Sequence, residues 1–301
     1  MAAIDIQHLT KDYGNGKGIF DITLQIEKGQ VYGFLGPNGA GKTTTIRHLL
    51  GFIKPQSGKS TILNLDCWEE PKKIQQQLGY LPAEIVFPEN MTGTQLIQHT
   101  AKMRGIHDKA AAKQLAERFD LDPSGQIKRM SKGMKQKLGI VCAFMHDPQI
   151  LILDEPTTGL DPLMQSVFVE LIHEEKRKGK SILMSSHLFE EVEGTCDSIA
   201  MIKQGRLISV TDAQSVKQLD KTTFRIHFQN LLDFQSIQQE NFFIREAHPE
   251  TMDIVVDIEN LQLNALLRAL ADREVVSIHE IKHSLEDSFM NFYHKGVDYH
   301  V

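Results

Sequence analysis

Three short segments of this 301-residue chain carry side chains whose types and spacing suit phosphoryl transfer. The first is Gly36-Pro37-Asn38-Gly39-Ala40-Gly41-Lys42-Thr43, which fits G-x-x-x-x-G-K-[ST] at every fixed position. Glycines at those places let the backbone curl so that successive N–H groups point inward at phosphate oxygens. A helix starting there, with Thr44 in its first turn, adds the positive end of its dipole. Lys42 would supply a cation for β- and γ-phosphates, and the Thr43 hydroxyl is placed to ligate magnesium. The second segment is Asp154-Glu155, which ends the apolar run ILIL at residues 150–153. Two carboxylates delivered by a buried strand are costly without a cationic partner. Asp154 would hold a magnesium ion through water, and Glu155 would orient and deprotonate the attacking water. The third is Ser185-Ser186-His187, an imidazole just past the run SILMS at residues 181–185.

These side chains need a scaffold, and the pattern supplies one. Residues 1 to about 210 alternate strands with helices, which predicts an α/β domain. Residues 30–35 (QVYGFL) form a short buried strand leading into the glycine-rich turn, and residues 43–50 a helix ending at Gly51. Ligand sites in such sheets lie at the carboxyl ends of the strands, where all three segments fall. Between about 87 and 145 the pattern turns helical, with amphipathic stretches at 94–104 and 109–119, a helical insertion.

The character changes again after about residue 215. Phe224, Ile226 and Phe228 alternate with polar residues, as do Met252, Ile254, Val256 and Ile258. Leu263, Leu266, Leu267 and Leu270 share a helical face, and a strand follows near 275–281. A capping box at Ser284 to Asp287 opens a last helix with Leu285, Phe289 and Phe292 on one side. The expectation is an α/β sheet domain over 1–215 and a small α+β appendage over 216–301, ordered β-β-α-β-α.

With 41% hydrophobic and 24% charged residues, the chain has the balance of a soluble globular protein. No apolar run approaches the length needed to cross a bilayer, and MAAIDIQHLTKDYG at the N-terminus does not read as a secretory signal. A net charge of -6 argues against a nucleic-acid partner. Cys67, Cys142 and Cys196 are far apart, as expected of reduced, mostly buried thiols.

Over residues 1 to about 210 these motifs resemble those of the ATP-binding-cassette ATPases. In that family the Gly36–Thr43 loop is the Walker A motif and Asp154-Glu155 closes the Walker B strand. Residues 130–136 (MSKGMKQ) resemble the family's signature motif. The resemblance implies that the Ser131 hydroxyl and the Gly133 N–H, at a capped helix start, bind the γ-phosphate of ATP held by a second subunit. It also implies that Gly159-Leu160-Asp161 is the D-loop along the subunit interface, that His187 is the switch histidine, and that Tyr13 stacks on adenine. The family expects a glutamine after a strand like residues 78–81; here the chain reads Gly79-Tyr-Leu-Pro-Ala-Glu84, and Glu84 is the candidate to replace it, since a carboxylate is also a magnesium ligand. Lys132 and Met134 also depart from the commoner signature residues.

What the resemblance implies is an ATP-hydrolysing subunit of a membrane transporter, using ATP and Mg2+. Two copies would close head to tail as a homodimer, docked on a separate transmembrane permease at the cytoplasmic face of the cell membrane. MSKGMKQKLG, YLPAE and the appendage ending LEDSFMNF resemble exporters of drugs or antimicrobial peptides rather than nutrient importers. A soluble cassette protein acting in translation or DNA repair is the alternative; the single Walker A loop and the lack of sustained heptads weigh against it.

Overall fold

The computed structural model describes residues 2–212, 221–259 and 262–281, and the chain divides into two compact units, Met1–Ala213 and Gln214–Val301. The first contains two sheets. Strands β1 (Ala2–Asp12) and β2 (Gly18–Glu27) form an antiparallel hairpin, extended through β4 (Ser57–Ile62) and β5 (Leu65–Asp66) in the order β2-β1-β4-β5. Ile4 pairs with Ile26 and Ile6 with Leu24, so one face of the hairpin is continuously apolar. The second sheet has the order β10-β9-β3-β8-β7-β6, comprising β3 (Val31–Leu35), β6 (Leu78–Leu81), β7 (Ile150–Asp154), β8 (Ser181–Ser186), β9 (Ser198–Lys203) and β10 (Arg206–Asp212). Its inner strands are parallel, and β3, β7 and β8 are buried at every residue. That two-sided burial explains why they read as unbroken apolar runs.

Helix α1 (Lys42–Leu49) lies between the sheets. Its Ile46 and Leu49 share one cluster with Ile4, Ile6 and Ile22 from the antiparallel sheet and with Phe34, Ile152 and Leu183 from the parallel one. Each such side chain contributes roughly 1.5–3 kcal/mol on burial, so the helix that opens at the glycine-rich loop is clamped from both sides.

Helix α2 (Pro71–Gln77) leads into β6, and the helical insertion that follows comprises α3 (Gly93–Met103), α4 (Ala110–Arg118) and α5 (Lys132–Phe144). Helix α3 starts on a capping box in which Thr92 and Gln95 satisfy each other's backbone N–H groups. Leu96, Ile97, Ala101, Ala112, Ala116, Leu138 and Val141 give this part its own core. Helix α5 also touches the sheet: Gly79 leaves room for the Ala143 carbonyl where a Cβ would stand 2.3 Å away.

The second unit corrects the expected order. Among its described residues it is β-α-β-β-α-β, with strands β11 (Lys221–Phe228), β12 (Phe243–His248), β13 (Asp253–Glu259) and β14 (Val275–Ile281) in the antiparallel order β12-β13-β11-β14, a ferredoxin-like topology. The helix Leu231–Ile237 and strand β12 were not anticipated. The helix is only seven residues long, started by the Asn230 side chain and buried through Phe234 and Ile237 alone. Strand β12 is an exposed edge without alternation. Of the four leucines expected on one face, Leu266 and Leu270 enter the core while Leu263 and Leu267 are exposed. The capping box at Ser284–Asp287 and the helix expected after it lie outside the described residues.

All three cysteines are free. Burial pushes the Cys67 and Cys196 thiols up to about 12 and that of Cys142 to about 11, so none is a reactive thiolate near neutral pH.

Candidate functional site

Strands β3, β8 and β7 are consecutive neighbours in the parallel sheet, so the three segments that follow them emerge side by side. The glycine-rich loop leaves β3 at Gly36, where a Cβ would stand 2.3 Å from the Ile202 carbonyl. Gly39 and Gly41 take φ of 79° and 115°, in the left-handed region that favours glycine. The loop then enters α1, whose first-turn N–H groups have no partner within the helix. Pro37, Asn38 and Gly39 are exposed and Ala40 is buried, with Thr43 and Thr44 half-buried in the first turn.

Lys42 is the first helical residue and is buried. Its ammonium folds back over the loop, donating to the Gly36 carbonyl at 2.5 Å and the Pro37 carbonyl at 3.4 Å. It also lies 3.1 Å from Glu155 Oε1. That carboxylate oxygen is buried and accepts no hydrogen bond, so its contact with Lys42 is ionic pairing without hydrogen-bond alignment. The other oxygen, Oε2, is 2.6 Å from His187 Nδ1. Beside them, the Thr43 hydroxyl donates to Asp154 Oδ2 at 2.9 Å, and the Ser185 hydroxyl donates to Oδ1.

Asp154 is fully buried. Burial pushes its carboxyl above the usual range, against the hydrogen bonds from Ser185 and Thr43; Glu155 raises it further and Lys42 opposes. A buried carboxylate under that pressure, with a hydroxyl already beside it, has the oxygen donor set that a hard divalent cation takes. Glu155 sits at φ 51°, an uncommon conformation for a side chain of its kind, and its N–H bonds back to the Ser185 carbonyl at 3.1 Å.

Lys42, Thr43, Asp154, Glu155 and His187 therefore form one cluster. The signature residues form a second group in the same unit. Ser131 starts α5, its hydroxyl accepting from the Met134 N–H at 3.2 Å. Gly133 packs where a Cβ would stand 2.7 Å from the Gly159 carbonyl. Asp161 starts α6 (Pro162–Arg177), accepting from the Met164 N–H at 3.0 Å. Tyr13, in the β1–β2 turn, is 53% exposed with the Lys11 ammonium 5.9 Å from its ring centroid. Glu84 is exposed in the loop after β6. Among the described residues no three His, Cys, Asp or Glu side chains assemble around a metal position.

Sequence reasoning gave no role of their own to Ser185 and Gln136, which lie inside quoted motifs, and passed over Glu191. Ser185 bonds both the Asp154 side chain and the Glu155 N–H. Its signal was available: a hydroxyl ending an apolar strand beside an acidic one. Glu191, in α7 (Phe189–Thr195), accepts from the hydroxyls of Thr157 and of Ser186, the latter at 2.7 Å, tying the loop before Asp161 to the one carrying His187.

Residues 19–158 match the family model described as ABC transporter. Over 94% of its own length and 94% of the relative's, the chain is 33% identical to the bacitracin transport ATP-binding protein BcrA of Bacillus licheniformis. The chain belongs to the ABC transporter ATP-binding proteins. It is 40% identical over 64% of its length, and 80% of the relative's, to the ABC transporter ATP-binding protein NatA of Bacillus subtilis. Among solved structures, an ATP-binding subunit of an ABC transporter is 31% identical with a TM-score of 0.66, covering 72% of this chain and 92% of that one. A dimeric cassette bound to ADP and phosphate, 19% identical over 70% of this chain and 98% of its own with a TM-score of 0.63, shares the fold. The α/β class expected from the sequence is thus the P-loop fold of these ATPases, and this subunit binds and hydrolyses ATP to drive transport. No helix among the described residues is long and apolar enough to cross a membrane.

Proposed function

We propose that this subunit powers export, with two copies closing head to tail on ATP beneath a separate permease. The contact of Glu155 with both Lys42 and His187 carries the reading. It gathers Glu155, Lys42 and His187, which would act as general base, phosphate-binding cation and switch imidazole, beside the ends of adjacent strands. Loop N–H groups and Lys42 would bind the β- and γ-phosphates, with Tyr13 against the adenine. Glu155 would take a proton from the attacking water, with His187 touching the γ-phosphate and steadying that water. Magnesium, held by Thr43 and Asp154, would supply charge neutralisation at the phosphates.

Ser131 and Gly133 would meet the γ-phosphate on the partner copy. ADP lacks that group, so hydrolysis removes the differential contact that holds the closed state. A groove of about 290 Å³ between β6 and the helical insertion, lined by Phe52, Tyr80, Thr100, Arg104 and Cys142, supports permease docking. Phe52 stands 58% exposed at its rim, edge-on to Tyr80. The similarity to BcrA runs nearly the full length of both chains, which favours an exporter of antimicrobial compounds over an importer. On this reading residues 1–215 are the nucleotide-binding domain, residues 216–301 add dimer contacts, and the assembly sits at the cytoplasmic face of the membrane. Glu155→Gln tests the core of the proposal. It should abolish turnover and accumulate an ATP-bound dimer by sedimentation; turnover near wild type would remove Glu155 from its role.

A further inference from the structure

Gln136 lies in α5, just past Ser131 and Gly133, and is 2% exposed. Its side-chain amide donates to the Pro156 carbonyl at 2.7 Å and stands 3.4 Å from the Glu155 carbonyl. The peptide it grips is unusual. Glu155 occupies left-handed backbone space, which persists only where the surroundings enforce it. Pro156 has no N–H with which to anchor the turn. The start of the same helix is fixed three residues earlier by the approach of Gly133 to the Gly159 carbonyl. Helix α5 is thereby fastened at two points to the segment running from Glu155 to Asp161.

We propose that Gln136 is a positioning residue. Its amide holds the Glu155–Pro156 peptide so that the Glu155 carboxylate faces Lys42 and His187. It also joins the helix that begins at Ser131 to this chain's own base. This rests on Glu155 being the base and on Ser131 and Gly133 meeting the partner's nucleotide. It follows that a γ-phosphate bound at Ser131 and Gly133 steadies the base of the same chain, which serves the other nucleotide of the dimer. The two sites then fire cooperatively through α5.

Gln136→Met keeps the volume of the side chain and removes the donor. A shift of about 1 Å in a catalytic group can cost on the order of 100-fold, so kcat should fall at least about tenfold. The Kd for MgATP should stay within twofold, and the Hill coefficient for ATP should drop towards 1. Turnover within twofold of wild type, or a loss appearing wholly as weaker ATP binding, would overturn the assignment. Gln136→Glu gives a second readout that a packing role would not move. The introduced carboxylate repels the two carbonyls when ionised and donates to one when protonated, so turnover relative to wild type should recover as the pH falls; a parallel pH profile counts against the proposal. Glu155→Gln run alongside separates the two claims. If it retains turnover the base reading fails, whereas an inactive Glu155→Gln beside a normal Gln136→Met sinks only the positioning role.

Discussion

On the proposed reading nucleotide displaces Glu155 from Lys42, and that exchange has a measurable size. Lys42 and Glu155 are 6% and 12% exposed and 3.1 Å apart. At an effective dielectric of 20 the Coulomb attraction at that distance is about 5 kcal/mol. Most of it is cancelled by the cost of keeping both charges out of water. Hydrogen bonds to charged groups contribute about 1.5–3 kcal/mol net, and this contact lacks hydrogen-bond alignment, which places it at or just below the low end. Nucleotide, whose phosphates reach Lys42, therefore binds against a penalty of about 1.4 kcal/mol, a factor of ten in Kd. Glu155→Gln abolishes the competing charge while keeping the shape. Calorimetric titration with MgADP isolates the effect, because ADP lacks the γ-phosphate and dimer closure adds nothing to the signal. The variant should bind MgADP about tenfold more tightly than wild type. Equal or weaker binding would show that the lysine–carboxylate pair is not what nucleotide displaces.

Three other perturbations follow from the same contacts. Lys42→Ala removes the phosphate-binding cation and should weaken MgATP binding about 10- to 100-fold, the range of one or two charge-assisted hydrogen bonds; unchanged affinity by calorimetry contradicts the cradle. Asp154→Asn should raise the thermal midpoint at neutral pH while abolishing magnesium-dependent turnover. Because burial holds the Asp154 carboxyl above the usual range, the wild-type fold loses stability as pH rises through that raised value, and the advantage of the variant should vanish in acid, where Asp154 is protonated folded and unfolded alike. Removing residues 214–301 from the Glu155→Gln protein should weaken ATP-dependent dimerisation; identical sedimentation with and without them denies the second unit a role in the dimer.

The site was legible where chemistry forces a local pattern. Gly36, Gly39 and Gly41 are required by a close carbonyl and by two left-handed backbones, so the loop is written in consecutive residues. Asp154 and Glu155 stood out because an apolar strand does not end in two carboxylates without cause. Gln136 and Glu191 were given no role of their own for the opposite reason. Gln136 grips a carbonyl 20 positions away and Glu191 accepts from a hydroxyl 34 positions away as well as from Ser186 nearby, and nothing adjacent in the chain marks such partners. Glu84 shows the converse hazard. Its role comes from the resemblance alone, because an exposed loop carboxylate carries no local pattern that marks it as a ligand.

The same distinction explains the second unit. Strands β11 and β13 were visible because Phe224, Ile226 and Phe228 pair across to Val256, Ile254 and Met252 at the core, and alternation survives in the sequence. Strand β12 pairs through backbone at the sheet edge, with a register shift between Ile244 and Glu246 that breaks the alternation. Strand β13 hides a further feature: Val255 and Asp257 on its opposite face are buried as well, with Asp257 held by the Thr223 hydroxyl at 2.5 Å and by Arg245 at 3.0 Å. An alternating strand predicts a wet second face, yet here a carboxylate sits beneath that face with two partners. Arg245 lies at the bulge of the edge strand, so the residue that spoils the alternation of β12 is the one that neutralises Asp257. The irregularity that hid β12 from the sequence is thus part of what satisfies the buried charge of β13.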